Sequence, residues 1–341
     1  MSEVSSSIRV REDMYAGWLS AAVYSAARLR VADHLADGPL GVDELAERTG
    51  TDAGSLYRLL RALAGAGYFR EEEGRRFATT PLAGYLRSDT EDSVKDLVLF
   101  YGREVYRAYG ALADAVRTGE RAFDMEYGMP LWDYLNTVRD TGDAFRKGMG
   151  AATWTEQLPL PRTYSFDGID TLVDVGGGTG SMLAAVLHEH PGMKGVLVEI
   201  PAGIDHTMRH FKEADVQDRV EVREGSAFDE LPEGDAYLIS CVLHAMDDEQ
   251  SVRALRRMRE SIRPGGRVIV LERIVPPGNE PGLARMLDLT MMLMNGGKER
   301  TEQEWRDLFT ASGFRFTRAV EMPYFQGGAE LYAIEGIPVE D

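Results

Sequence analysis

His244 follows the apolar run Leu238-Ile239-Ser240-Cys241-Val242-Leu243, and Glu272 closes a second run, Val268-Ile269-Val270-Leu271. Runs of this length and composition read as buried strands, which would place an imidazole and a carboxylate side by side on one rim of a sheet. That pairing suits a general base. The imidazole titrates near neutrality, and the carboxylate fixes its tautomer and stabilises the cation formed on proton uptake. A phenol, with a pKa of about 10, is a weak nucleophile until it is deprotonated, so it is the acceptor such a base helps most. The bland alternative is that His244 only caps the helix that follows.

A second group of residues is built to receive a ligand. Thr171-Leu172-Val173-Asp174-Val175 runs straight into Gly176-Gly177-Gly178-Thr179-Gly180 and then the helical Ser181-Met182-Leu183-Ala184-Ala185-Val186-Leu187. Glycines at 176, 178 and 180 permit left-handed dihedrals and leave no Cβ between the turn and a ligand, while the helix start offers unpaired N–H groups. No lysine follows the glycines, which excludes a P-loop, and the sixth position counted from Gly176 is Ser181, which breaks the dinucleotide fingerprint. About twenty residues on, Gly195-Val196-Leu197-Val198-Glu199 ends a second strand in a carboxylate suited to a ribose diol and repellent to a 2′-phosphate. The spacing acid-x-Gly-x-Gly-x-Gly resembles motif I of S-adenosylmethionine-dependent methyltransferases.

These groups need a sheet to position them. Strands are expected at 171–175, 195–199, 220–224, 235–241, 267–273, 314–320 and 329–335, and helices at about 181–190, 203–214, 248–263, 283–293 and 302–312. Such alternation implies an α/β, Rossmann-like parallel sheet covered on both faces, with ligands at the carboxyl ends of its strands. The short Pro323-to-Gly328 connection makes the last two strands antiparallel.

Ahead of that domain, Tyr15, Trp18, Leu19, Ala22, Val23, Ala26, Leu29 and Val31 recur at helical spacing over Arg9 to Leu35, on an apolar face wide enough to pair with a second subunit. Two short helices follow, at 41–50 and from the cap Thr51 or Asp52 onward, and then a hairpin around Glu71-Glu72-Glu73-Gly74: the order of a winged helix. Residues 1–100 hold 12 Lys and Arg against 16 Asp and Glu, and the whole chain of 341 residues carries −18, which disfavours a DNA reader or an anionic membrane partner. No stretch approaches the roughly 18 apolar residues of a membrane span. The single cysteine, Cys241, reads as a buried filler, excludes an internal disulfide and fits a reducing cytoplasm. Residues 92–160 are rich in aromatic and sulfur side chains, material for the wall of a pocket for a flat organic substrate. His206 with His210, and His188 with His190, have no third ligand at recognisable spacing, so no metal is expected.

Taken in order, Tyr164-Ser165-Phe166-Asp167-Gly168-Ile169, the Asp174-to-Gly180 turn, Val242-Leu243-His244, Pro264-Gly265-Gly266, Glu272 and Gly296-Gly297-Lys298-Glu299-Arg300-Thr301 resemble the caffeate-type small-molecule O-methyltransferases, including bacterial enzymes that tailor aromatic polyketides. The resemblance covers nearly the whole chain. It implies that His244 is the catalytic base flanked by Glu272 and Glu299. It also implies a cofactor, S-adenosylmethionine, held by Asp174, Gly176, Gly178, Gly180 and Glu199, with Ser226, Ala227, Phe228 and Ser240 at further strand ends and Thr153 near the cofactor carboxylate. Phe145 and Met149 are expected to line the substrate pocket, with Asp288 and Met292 as further candidates. Two departures stand out: Ser226 replaces the acid that touches adenine, and His244-Ala245-Met246 replaces His-Asp-Trp.

The expectation is therefore a winged-helix-like dimerisation domain at 1–95, a helical substrate-pocket segment at 96–163 and a Rossmann-like catalytic domain at 164–341. The chain would act as a cytoplasmic homodimer that methylates a phenolic hydroxyl of a small aromatic intermediate. Alternatives are methylation of carbon or nitrogen, a reaction without methyl transfer, and a cofactor-sensing regulator.

Overall fold

A computed structural model describes residues 6–90, 92–156, 159–204, 207–323 and 331–340, with backbone alone for 150–156, 202 and 203. Two compact units share the chain. The first takes residues up to Arg107 together with Leu135–Ala151, and the second takes Ala108–Tyr134 together with residues from Ala152 onward.

The second unit is a sheet of seven strands: β1 (Thr171–Val175), β2 (Lys194–Glu199), β3 (Val220–Glu224), β4 (Gly234–Ser240), β5 (Ile262–Val275), β6 (Phe314–Glu321) and β7 (Leu331–Pro338). Their order is β3-β2-β1-β4-β5-β7-β6, with the short strand Arg300–Thr301 paired parallel to β5. The strands from β3 to β5 run parallel, and β7 lies antiparallel to both β5 and β6, as the brief final connection requires. The period of two sorts the sheet's side chains into two cores. Leu172, Leu197, Leu238, Ile269 and Leu271 face the helices Ser181–Glu189 and Thr207–Glu213. Val173, Val175, Val196, Val198, Tyr237, Ile239, Val268 and Val270 face the helices Asp248–Ser261 and Glu302–Ala311.

β5 begins five residues before its expected start. The sequence Pro264-Gly265-Gly266 reads as a turn, yet the ladder with β4 already forms at Gly234 and Ile262 and continues across an irregularity. A Cβ on Gly266 would stand 2.4 Å from the Asp235 carbonyl oxygen, so glycine lets the strands pass.

In the first unit the long helix Ser6–Arg28 stops where Arg30 turns left-handed (φ 56°), and Val31–His34 follows as a separate turn. The helices Val42–Thr49 and Ala53–Gly65, the latter capped by the Asp52 carboxylate accepting from Ser55 N at 2.7 Å, precede the hairpin Phe69–Glu72 with Arg76–Thr79. Leu40–Gly41 adds a third strand, completing the winged-helix order. Phe69, Phe77, Leu45 and Leu60 fill its core, whereas Met14 and Trp18 on the first helix remain 70% and 67% exposed, with Trp18 stacked on the Tyr15 ring at 4.4 Å as part of an exposed apolar face. No helix among the described residues is long and apolar enough to cross a membrane.

Candidate active site

At the carboxyl end of β1 the chain turns with φ of 71° at Gly176, 58° at Gly178 and 76° at Gly180. These values favour glycine, and two further contacts require it. A Cβ on Gly177 would stand 2.3 Å from Asp174 Oδ2, and one on Gly180 would stand 2.4 Å from Phe211 Cζ. At Gly178, by contrast, a Cβ would meet nothing within 4 Å, so this is the face open to a ligand. Glu199, at the end of β2, ties the turn down: Gly178 N donates to its Oε2 at 2.7 Å and Ile200 N to its Oε1 at 2.9 Å. A carboxylate has about four lone-pair sites, so this leaves capacity for a diol. Asp174 is fully buried with neither oxygen hydrogen-bonded, and burial together with the Glu199 charge pushes its carboxyl up to about 7. A buried, unpartnered acid under an open backbone turn fits a cationic ligand that also carries a ribose.

The second cluster hangs from the end of β4. Cys241 is half-buried and left-handed (φ 52°), correcting its expected role as a plain buried filler: it turns the chain sharply out of the strand. Val242 then lies against the glycine turn, its Cγ2 3.1 Å from where a Gly176 Cβ would stand. The 3-10 turn Leu243–Ala245 presents His244, whose Nδ1 is 2.9 Å from Glu299 Oε1 and 3.5 Å from Glu272 Oε2, while its backbone N donates to Glu272 Oε1 at 3.2 Å. Burial alone would lower the imidazole's pKa, but Glu272 and Glu299 outweigh it and raise His244 to about 8. Burial pushes Glu272 upward against the opposing pull of His244. The backbone N of Glu299 donates to Asp288 Oδ1 at 3.0 Å, drawing the helix Leu283–Met294 into the cluster. One imidazole nitrogen and two carboxylate oxygens lie within 4.8 Å of one another, a spacing that a metal ion could also bridge.

Known proteins resemble this chain in sequence and fold. The O-methyltransferase domain profile matches residues 109–315, and the O-methyltransferase dimerisation domain profile matches residues 13–89. The phenazine O-methyltransferase PhzM of Lysobacter antibioticus is 36% identical over 304 residues, 89% of this chain and 89% of its own length. The chain belongs to the O-methyltransferase family. It is a methyltransferase whose cofactor is S-adenosylmethionine. The crystal structure of LaPhzM superposes with a TM-score of 0.91 at 34% identity, covering 98% of this chain and 100% of that one. Identity alone does not fix the acceptor atom, because the 8-amino-8-demethylriboflavin N,N-dimethyltransferase of Streptomyces davaonensis is also 36% identical, over 86% of this chain and 85% of its own.

The residues expected at an O-methyltransferase site divide as follows. Asp174, Gly176, Gly178, Gly180 and Glu199 form one contiguous turn, and Gly225 N donates to Glu199 O at 3.0 Å, which hangs the Ser226–Phe228 loop from the same strand end. Ser226 does not copy the missing acid. Its N and Oγ both donate to Asp229 Oδ2, at 2.8 and 2.7 Å, closing a local turn, while Ala227 is buried and Phe228 packs half-buried with Arg253 over its ring. Ser240 is half-buried at the tip of β4. His244, Glu272, Glu299 and Asp288 come together, with Met292 half-buried one turn beyond Asp288. Phe145 and Met149 are half-buried in the first unit, where Phe145 meets Phe100 edge-on at 4.9 Å. The Thr153 side chain lies outside the described residues, as does His206.

Sequence reasoning met Arg300 and Gly297 only within the Gly296-to-Thr301 block and gave neither a role. Arg300 is fully buried and donates to the carbonyls of Leu243 and Met246 at 3.1 and 3.2 Å, to Ser251 Oγ at 3.1 Å and to Asp248 Oδ1 at 2.9 Å. A Cβ on Gly297 would stand 2.0 Å from the His244 carbonyl oxygen, so the two segments pack backbone to backbone. The Thr301-x-x-Glu304 capping box fixes only where the helix Glu302–Ala311 starts, and no residue spacing signals either role.

Proposed function

We propose that this enzyme transfers the methyl group of S-adenosylmethionine to a phenolic hydroxyl of a small aromatic natural-product intermediate, with His244 as general base. The observation that carries this reading is the imidazole held through Nδ1 by Glu299 and Glu272, which leaves Nε2 to take the phenol's proton. Bound S-adenosylmethionine supplies an electrophilic methyl on a sulfonium. Asp174 and Glu199 would face its cationic and ribose groups, and Gly178 lets it approach the backbone. An imidazole raised to about 8 stands closer to a phenol's pKa of about 10 than an ordinary imidazole does, so the proton transfer costs less. The two glutamates thus strengthen the base, and they stabilise the imidazolium until solvent removes the proton.

The segment Ala108–Tyr134 supports an aromatic acceptor. Tyr109 OH hydrogen-bonds Thr290 Oγ1 at 2.8 Å, and Phe123, Tyr127 and Tyr134 form a ring cluster beside the helix that carries Asp288 and Met292. The exposed apolar face of Ser6–Arg28 and the dimerisation profile support a homodimer, and the single cysteine supports a reducing, cytoplasmic setting.

Incubation with S-adenosylmethionine labelled on its methyl and a panel of hydroxyphenazines, hydroxybenzoates and aromatic amines tests the reading. Mass spectrometry should locate the label on a phenolic oxygen, with one S-adenosylhomocysteine per methyl. The second reading, N-methylation, is favoured by the equally similar dimethyltransferase; label found only on nitrogen would establish it and overturn the first.

A further inference from the structure

We propose that Arg300 is a positioning residue for proton transfer: its guanidinium clamps the turn that carries His244, keeping Nδ1 on Glu299 and Glu272. The inference rests on the general-base reading above and deepens it.

The geometry has two halves. His244 sits on a single 3-10 turn, Leu243–Ala245, too short to hold itself rigidly. Both ends of that turn are fixed by one side chain, since Arg300 Nη1 takes Leu243 O and Nη2 takes Met246 O. Arg300 is itself immobilised: Asp248 accepts from Nε and Nη2 at 3.1 and 2.9 Å, Ser251 Oγ accepts from Nη2, and the guanidinium carbon lies 5.3 Å from the Trp305 ring centroid. Because Arg300 follows Glu299 directly, the clamp sets the base and one of its carboxylate partners relative to each other in the same step. A lysine would keep the charge but could not span both carbonyls, since only the planar fork presents donors in fixed directions.

A buried arginine could equally be a packing element, so the readouts must separate the two roles. The groups facing His244 are Glu272 and Arg273 from β5, Glu299 and Arg300 from the following segment, and Asp288 behind Glu299. Arg300→Lys leaves every one of those charges in place. If Arg300 positions the base, Nδ1 drifts from its carboxylates in the variant. The His244 imidazole midpoint, followed by NMR of histidine-labelled protein with His244→Ala to assign the signal, then falls from about 8 towards the ordinary value near 6.5. Turnover of the best phenol of the labelling panel drops about 10- to 100-fold, as displacements of order 1 Å do, while S-adenosylmethionine affinity by calorimetry stays within about twofold. Asp248→Asn, whose parent side chain is 57% exposed, should move midpoint and turnover in the same direction by less, and it decides the matter if Arg300→Lys does not fold. A lower melting temperature with unchanged midpoint and turnover would overturn the positioning role. If His244→Ala turns over like the parent, the general-base reading falls and takes the proposal with it. If His244→Ala is inactive while Arg300→Lys matches the parent in midpoint and turnover, only the positioning role falls.

Discussion

Between Asp174 and Gly180 the polar groups offered to a ligand belong to the backbone, whereas around His244 they belong to side chains, and the two regions handle buried charge differently. The glycine turn buries Asp174 with neither oxygen hydrogen-bonded, and burial with the Glu199 charge raises its carboxyl to about 7. The His244 cluster supplies its own cation: two glutamates face one imidazole, with Arg300 close behind. One region keeps an acid without a hydrogen-bond partner; the other pairs its acids with an imidazole. That division suits a binding site next to a site where charge must move on demand.

The largest expected break between the regions comes from His244→Ala. Turnover on a phenol should fall about 10²–10⁴-fold, while the cofactor affinity measured by calorimetry stays at the parent value. A matching loss of cofactor affinity would show that the clusters do not act separately.

Substitutions in the turn should act the other way round. In Gly180→Ala the new methyl meets the buried Phe211 ring at 2.4 Å in a left-handed backbone. Left-handed strain of about 1–2 kcal/mol and overpacking of about 1–3 should together lower the melting temperature sharply. Gly178→Ala carries only the strain, because its Cβ points into open space. It should melt near the parent yet lose cofactor affinity tenfold or more under the proposed placement of the cofactor over Gly178. Equal melting losses for the two variants would contradict an open face at Gly178.

The same contrast governs what could be read from the sequence. The turn is local, and ten contiguous residues with Glu199 contain it, so spacing alone located it, and the strands 171–175 and 220–224 were placed to the residue. The His244 cluster joins segments 28 and 55 positions apart in the chain. Apolar runs placed His244 and Glu272 on one rim, but nothing in residue spacing brings Glu299 there; it was legible only through the family block. Arg300 had no legible role for a physical reason: a charged residue between Glu299 and Thr301 reads as solvated, and the partners that make its burial tolerable, two backbone carbonyls with Asp248 and Ser251, lie 49 to 57 positions away in the chain. Likewise the left-handed turn at Cys241 had no glycine to advertise it.

The smallest effect is the most discriminating, because each region has its own titration. A cationic ligand prefers the ionised Asp174, whose carboxyl is pushed up to about 7, so cofactor affinity should climb as pH rises through about 7 and level off above it. In the proposed mechanism His244 acts as base only when neutral, so turnover at saturating cofactor should climb through about 8 and level off above that. Below each midpoint the slope approaches tenfold per pH unit, and the affinity curve lies at lower pH than the turnover curve. Glu299→Gln removes one of the carboxylates that stabilise the imidazolium; the turnover midpoint should therefore move to lower pH, and the weaker base should cut the plateau, while the affinity midpoint stays where it was. Measuring cofactor affinity and turnover across pH 6–9 in parent and variant checks this. A single midpoint shared by both curves, or a joint shift in Glu299→Gln, would mean that the two buried acid clusters titrate as one.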